Sequence, residues 1–143
     1  MYIGYMGDIV FSVAESHMLT PSNYQRESSA RWAEHSLILR KPVSQFGGPG
    51  LESVAFSIIL SEDHGINPEN QLKALRKMRD TGAVFPLVIG GKPVTQNYWR
   101  LDSIKEGDIF WTPDGRMQLC KAEVKLTEYE EGNKTEEQSL NFQ

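Results

Sequence analysis

One segment constrains the fold of this chain more than any other. A glycine-rich run, Gln45-Phe46-Gly47-Gly48-Pro49-Gly50, leads directly into a stretch of alternating apolar residues that ends at Leu60. Glycine adopts positive φ without steric cost and proline fixes its own φ, so the run predicts a shaped turn or contact loop. The apolar residues that follow occupy every second position, which is the period of a β-strand with one wholly apolar face. These residues are Val54, Phe56, Ile58 and Leu60.

The clearest helix begins at Asn67-Pro68-Glu69. Asparagine is a good N-cap, proline suits the first helical position, and the glutamate complements the positive end of the helix dipole. Gly82 stands where a left-handed C-cap belongs. Between these ends, apolar residues recur on one face with basic residues around them, which predicts an amphipathic helix lying across a sheet. The apolar residues are Leu72, Leu75 and Met78.

Other strands are predicted on both sides of this helix. Tyr24 to Leu39 is interpreted as a solvent-facing strand or a bent pair, with a short helix left open. Pro86 indicates that the strand from Val84 to Ile89 lies at an edge or contains a bulge. Turns are predicted at Gly90-Gly91 and Pro113-Asp114-Gly115, and a loop from Ala14 to Ser22. The remaining predicted strands are Ile9 to Val13, Tyr98 to Ile104, Asp108 to Trp111 and Met117 to Thr127.

Length and composition favour one domain. The 143 residues are predicted to form a single α+β, β-rich domain over residues 1–128, followed by an acidic polar tail, 129–143, that is disordered or ordered only in an assembly. A net charge of −4 argues against a nucleic-acid-coating protein. A single cysteine excludes an intrachain disulfide and a multi-cysteine zinc site. With neither a signal peptide nor a long apolar span, the chain is expected to be soluble and made in a reducing cytoplasm.

Residue types capable of catalysis have simpler interpretations. Cys120 could be a nucleophile with His17, His35 or His64, but it alternates with apolar residues and is predicted to be a buried thiol. The triplet Glu62-Asp63-His64 is better explained as a polar turn than as a metal site, because three adjacent residues do not face one ion from a regular element. The three tryptophans are interpreted as core or interface anchors. They are Trp32, Trp99 and Trp111.

The candidate interface residues lie in two places. The first is the glycine-rich segment Gln45, Phe46, Gly47, Gly48, Pro49 and Gly50, which lacks the features of a phosphate-binding loop. The second is the predicted helix, where a cluster of basic residues would suit an acidic partner chain, or would simply be a solvated face. This cluster consists of Lys73, Arg76, Lys77 and Arg79, with Arg76 and Lys77 as the interface candidates.

The order of these elements resembles the gpU-type tail protein family of contractile-tailed phages and phage-derived bacteriocins. The resemblance covers nearly the whole chain except the acidic tail. No single motif is specific, and the ordered set is a much stronger indication than any one of its motifs. The set is Gly7-Asp8-Ile9-Val10-Phe11, Gln45 to Gly50, the strand ending at Leu60, Leu72 to Met78, Gly82, Phe85-Pro86-Leu87-Val88, Tyr98-Trp99-Arg100-Leu101, Asp114-Gly115 and Ala122 to Thr127.

The resemblance implies a non-enzymatic structural protein without cofactors or a metal. It implies a sandwich or barrel core with one packed helix, akin to the tail-tube fold, in a virion or bacteriocin particle. The protein would sit in the inner baseplate where tube and sheath begin, beside a LysM-type tail protein and the hub, as a homo-oligomeric ring matching a six-fold tail. It would contact neither membrane nor nucleic acid directly. The alternatives are a tail terminator or tube-like ring protein and, from another class, a small hydrolase using Cys120 and a histidine.

Overall fold

The computed structural model describes residues 2–13 and 18–130. The described part begins with β1 (Tyr2–Met6), β2 (Ile9–Val13), β3 (Met18–Leu19), β4 (Pro21–Glu27), β5 (Ala30–Leu37), β6 (Arg40–Pro49) and β7 (Ser53–Ser61). A 3₁₀ turn, Glu62–His64, then leads to α1 (Pro68–Asp80). The remaining strands are β8 (Val84–Phe85), β9 (Leu87–Ile89), β10 (Lys92–Pro93), β11 (Tyr98–Trp111) and β12 (Met117–Tyr129).

The strands form two five-stranded sheets and one two-stranded sheet. The first has the order β10-β9-β1-β2-β3, and the second, which curls into a half barrel, has the order β4-β7-β12-β11-β8. Strands β5 and β6 pair with each other in a sheet of their own. All of these pairings are antiparallel. The described part of the chain is therefore mostly β-sheet with one α-helix, in agreement with the predicted β-rich α+β class.

The centre of the half-barrel sheet is the β7–β12 pair. Phe56 lies opposite Val124 and Leu60 lies opposite Cys120 in a regular register. The alternating apolar residues of both strands are buried, so the predicted inward faces are confirmed. They join apolar residues of the other five-stranded sheet and of the helix in one core. The burial of these apolar side chains in one core stabilises the folded chain through the hydrophobic effect.

Helix α1 follows the predicted pattern at both ends. The Asn67 side chain accepts a hydrogen bond from the Asn70 backbone N–H at 3.2 Å, and Pro68 occupies the first turn. The helix ends at Asp80, and Gly82 has a φ of 65°, as expected for the residue after a C-cap. Its predicted apolar face is buried and packs mainly on β11 and β12. The helix therefore covers one side of the half-barrel sheet.

Several predicted elements differ from the observed ones. The segment predicted as one strand from Val84 to Ile89 is two strands, because Pro86 has no N–H to donate and the chain passes there from one sheet to the other. Conversely, the two strands predicted between Tyr98 and Trp111 form the single strand β11, in which Asp108 (φ 50°) lies at a register shift. The predicted Gly90-Gly91 hairpin turn is confirmed.

The N-terminal third contains more strand than predicted. Strand β1 was not predicted, and part of the predicted loop from Ala14 to Ser22 belongs to β3 and β4. Residues 14–17 lie outside the described residues. Two exposed strands, the end of β4 and β5, cover most of Tyr24 to Leu39. The interpretation of this segment as a bent pair of strands is therefore confirmed, and the short-helix option is wrong. At the other end β12 runs to Tyr129, and the predicted tail beyond Glu130 lies outside the described residues.

Candidate protein interface

The most prominent exposed feature is the hairpin formed by β5 and β6, here called the arm. Neither strand pairs with another sheet, and every residue of β5 is exposed. An eight-residue strand is about 27 Å long, so the arm projects well beyond the sheet from which it leaves. An isolated two-stranded hairpin is marginally stable in water. The arm therefore lacks the burial that stabilises the rest of the described chain.

The arm ends in an apolar turn. Leu37 closes β5, and the turn residues Ile38 and Leu39 are 90% and 100% exposed. Leu39 has a φ of 57°, which costs a residue with a Cβ about 1–2 kcal/mol. Hairpin turns normally use glycine, asparagine or aspartate, which are polar or adopt this φ freely. An exposed leucine in a strained turn is explained by binding more easily than by folding.

Along the arm, an aromatic pair and basic residues face solvent. Trp32 and Phe46 lie opposite each other, with ring centroids 5.0 Å apart, yet both rings are more than half exposed. The arm between Ala30 and Pro49 contains three basic residues and one acidic residue, in a chain whose net charge is negative. Arg40 and Lys41, next to the tip, form no ion pair within the described residues. The arm is thus a basic and apolar surface on an acidic protein.

The glycine-rich segment lies in this arm, and the prediction that it forms a turn is wrong. Gln45 to Pro49 belong to β6, where Gly48 has a φ of 96° at a register shift opposite Arg31. Positive φ is used here for a bulge in a strand and not for a chain reversal. At the root, the Gly50 backbone N–H donates to the Ser29 carbonyl at 2.8 Å. A Cβ at Gly50 would lie 3.0 Å from that oxygen, so glycine permits this close approach.

A groove opens beside the root of the arm. It has a volume of about 610 Å³, and its walls combine apolar and acidic side chains. Glu52 is engaged by Arg26, whose Nε donates to its carboxylate at 2.8 Å. Glu128 is only 7% exposed and accepts hydrogen bonds from the Glu52 backbone N–H at 3.2 Å and from Asn97 Nδ2 at 3.0 Å. The wall residues important here are Phe46, Pro49, Leu51, Glu52, Glu128 and Glu130.

This groove carries unpaired negative charge. Within residues 2–13 and 18–130, neither Glu128 nor Glu130 forms an ion pair. A carboxylate that is almost fully buried is costly without an opposite charge, even when hydrogen bonds satisfy its oxygens. The groove is therefore suited to a cationic and partly apolar partner. The sequence analysis missed it, because its residues come from four separate parts of the chain.

The basic cluster on α1 is only partly free. Arg76 forms an ion pair with Glu106 of β11, and Arg79 pairs with its neighbour Asp80 at 2.8 Å. Lys73 and Lys77 have no such partner in the described part of the chain. The cluster was predicted to be either a contact with an acidic partner chain or a solvated face, and for Arg76, one of its two interface candidates, the structure shows an intramolecular ion pair. Lys77 remains the better interface candidate on this helix.

Residues considered for chemistry lie in structural environments. Cys120 is fully buried in the core, and burial raises the pKa of its thiol, which opposes formation of a reactive thiolate. Glu62 of the predicted polar turn is bound by Arg116, with 2.6 Å between Arg116 Nε and the carboxylate. Among the described residues, no group of three histidine, cysteine, aspartate or glutamate side chains could hold a metal ion. His17 lies outside the described residues.

The three tryptophans have different environments. Trp99 is fully buried, so of the two predicted roles, core anchor or interface anchor, it has the first. Trp32 and Trp111 are 61% and 57% exposed. An exposed indole offers a large apolar area at low entropic cost when it becomes buried by a partner. Trp32 on the arm therefore strengthens the case for a protein interface there.

A β-rich domain that carries apolar and basic residues on a projecting hairpin is built for contacts with other protein chains. The family model described as Phage P2 GpU matches residues 7–131. The chain belongs to this family, and it is accordingly a phage tail-related structural protein, a component of the virion. The resemblance to gpU-type tail proteins is thus confirmed. A search of curated proteins finds no match.

One further finding concerns membranes. Among the described residues, none of the helical segments has both the length and the apolar character needed to cross a bilayer.

Proposed function

We propose that this protein is a structural component of the inner baseplate of a contractile phage tail or of a phage-tail-like bacteriocin. It assembles as a homo-oligomeric ring, six-fold like the tail, close to where tube and sheath begin. Its neighbours are a LysM-type tail protein, the hub, the tube and the sheath. The observation that carries this proposal is the arm, whose apolar tip and aromatic pair are exposed on a member of a phage tail family.

The fold is compatible with this role. Tail-tube-like proteins are expected to have a curved sheet with a helix packed on it, and here the half-barrel sheet is covered by α1. A ring requires two different surfaces on each subunit, one for each neighbour. The arm supplies one of them, and its root includes the predicted interface segment Gln45 to Gly50. In this proposal the domain predicted over residues 1–128 extends to Tyr129, the last residue of β12, and the acidic polar tail that follows is ordered in the assembly.

The main alternative is a tail terminator or tube-like ring protein at another position in the tail. It would use the same fold and the same arm, so geometry alone favours neither position. The hydrolase alternative is not supported, because the Cys120 thiol is buried and its pKa is raised. In the proposed role the protein is structural and not an enzyme, and it acts by holding neighbours in register until contraction.

A reconstruction of assembled tails tests the proposal. Particles are produced from a host in which this gene is deleted and complemented by the wild-type gene, and the ring density is assigned by fitting the curled sheet and the arm. We expect six copies at the baseplate end, against the LysM-type protein and the hub. A ring at the head-proximal end would establish the terminator alternative instead, and absence from purified particles would refute both.

Complementation with two matched variants tests whether the arm is needed for the assembly of functional particles. Leu39→Ser removes an exposed apolar side chain from the arm tip, whereas Val10→Ser removes one from β2, far from the arm in sequence. We expect Leu39→Ser to reduce the yield of functional particles strongly and Val10→Ser to leave it close to wild type. Equal yields from both variants would show that the arm tip has no role in assembly.

A further inference from the structure

We infer that the tip of the arm docks into the acidic groove at the root of the arm of a second copy of this chain. The inference rests on the proposed function, because it specifies how the ring would be joined. It assigns the two ring surfaces to named residues. The donor surface is Leu37, Ile38, Leu39, Arg40 and Lys41, and the acceptor surface is Phe46, Pro49, Leu51, Glu128 and Glu130.

The two surfaces match in chemistry. Exposed leucine and isoleucine side chains at the tip are complementary to the apolar wall of the groove, formed by Phe46, Pro49 and Leu51. Arg40 and Lys41 beside the tip, and Glu128 and Glu130 of the groove, have no ion-pair partner among the described residues, and their charges are complementary. Complementary charge of this kind directs association and fixes register. The groove has a volume of about 610 Å³, which lies within the range of about 300–1,000 Å³ that is typical of binding pockets.

The partner has to be another molecule. The groove adjoins Ser29, Ala30 and Pro49 at the root of the arm, whereas the tip is about 27 Å away along an extended strand pair. A chain cannot place its own tip into its own groove without dissolving the arm. In the ring proposed above, each copy gives its tip to one neighbour and receives the tip of the other neighbour in its own groove, so the contact is head-to-tail and repeats from copy to copy. Such a contact produces a ring where the rotation closes.

Cysteine cross-linking of the purified full-length chain tests the docking directly. The variants Leu39→Cys and Leu51→Cys are mixed under oxidising conditions, and the native Cys120 does not compete because it is buried. We expect a disulfide-linked dimer from the mixture and higher oligomers from the double variant. The control pairs Leu39→Cys with Lys92→Cys, which is exposed on β10, and is expected to form no disulfide-linked dimer. A dimer from Leu39→Cys alone would indicate tip-to-tip contact and overturn the inference.

Charge reversal gives an independent readout by sedimentation. Lys41→Glu is expected to weaken self-association at least tenfold, whereas Lys92→Glu, with the same change of charge, is expected to leave it unchanged. Adding Glu130→Lys to Lys41→Glu is expected to restore self-association, because the two charges are then exchanged between tip and groove. Equal association of Lys41→Glu and Lys92→Glu would refute the charge contact made by the tip, and a failure of Glu130→Lys to restore association would refute the groove as acceptor. A wild-type chain that stays monomeric at millimolar concentration, without cross-links, would overturn the inference.

The two proposals can fail separately. Cross-linking failure together with a six-fold ring in the baseplate would leave the proposed function standing and require a different contact surface. Conversely, specific tip-to-groove cross-links in a protein that is absent from tails would support the inference and refute the proposed position.

Discussion

The β7–β12 pair and the β5–β6 arm are both long antiparallel strand pairs, but their surroundings differ. In β7 and β12 every second side chain is buried against the helix and the other sheet. In the arm the side chains of both faces are exposed, and the Trp32 and Phe46 rings contact each other across the two strands. The first pair gains free energy from burial, whereas the second depends on its ladder and on cross-strand contacts.

The difference shows what each region does. A buried pair is constrained by packing, and its residues are explained by the fold alone. An exposed pair that carries apolar and basic residues gains only small cross-strand contributions from them within its own chain. Substitutions in the two regions should therefore separate stability from assembly: core variants unfold the protein, and arm variants leave it folded but unable to bind.

The largest effect on stability is expected in the core pair. Phe56 is 2% exposed and packs edge-to-face against Phe11, with ring centroids 5.9 Å apart. Phe56→Ala should lower the free energy of unfolding by about 3–5 kcal/mol, because it removes the ring and leaves a cavity. Denaturant unfolding followed by circular dichroism measures this change.

The matched control lies in the same strand. Ile59 is 43% exposed, so Ile59→Ala should cost at most about 1 kcal/mol. Similar midpoints for the two variants would contradict the assignment of Phe56 to the core face.

A smaller effect is expected from the buried thiol. Cys120→Ser places a hydroxyl among apolar side chains and should cost about 1–3 kcal/mol. Particles assembled with this variant should nevertheless infect or kill at a permissive temperature, since the thiol has no chemical role in the proposed function. A folded and assembled Cys120→Ser particle without activity would revive the hydrolase alternative.

Removing an aromatic ring from the arm should lower the free energy of unfolding much less than removing one from the core. Trp32→Ala removes an even larger ring than Phe56→Ala, but the ring is 61% exposed and makes a cross-strand contact worth about 0.2–1 kcal/mol. The unfolding midpoint should therefore stay close to that of the wild type, while incorporation into tails falls. A loss of stability equal to that of Phe56→Ala would show that the arm belongs to the core.

The buried elements could be predicted from the sequence, whereas the exposed arm could be predicted only in part. Strands β7 and β12 and helix α1 could be predicted because burial on one face imposes a period of 2 or 3.6 on the apolar residues. The arm could not be delimited in this way, since neither face is buried and no period arises. The glycine-rich segment predicts positive φ, which Gly48 adopts, but glycine permits a bulged strand as well as a turn, and only the register with β5 decides between them.

The candidate interface was predictable only in part. Leu37, Ile38 and Leu39 form an unbroken apolar run directly before Arg40 and Lys41, which is unusual for a turn and could have indicated an exposed contact. The acidic groove was beyond sequence analysis, because β7 and β12 bring Glu52 and Glu128 together across 76 residues of chain. Similarly, the pairing of Arg76 with Glu106 depends on how α1 crosses β11.

The smallest effects are expected on the exposed side of α1, where the two interface candidates differ. Arg76→Glu removes an ion pair with Glu106 and places like charges together, which should cost no more than about 1 kcal/mol because both groups are partly solvated. Adding Glu106→Arg should recover this loss. Lys77→Gln breaks no ion pair within the described residues, so its free energy of unfolding should change by about 0.5 kcal/mol or less.

Incorporation into tails then decides whether this helix binds a neighbour. If an acidic partner contacts Lys77, Lys77→Gln should enter tails less efficiently than wild type, although it is equally stable. The Arg76→Glu/Glu106→Arg double variant keeps the local pair but exchanges its charges, so it tests whether the partner recognises Arg76 itself. Wild-type incorporation of both variants, alongside a defect in Leu39→Ser, would restrict the assembly surface to the arm and leave the basic face of α1 as a solvated surface.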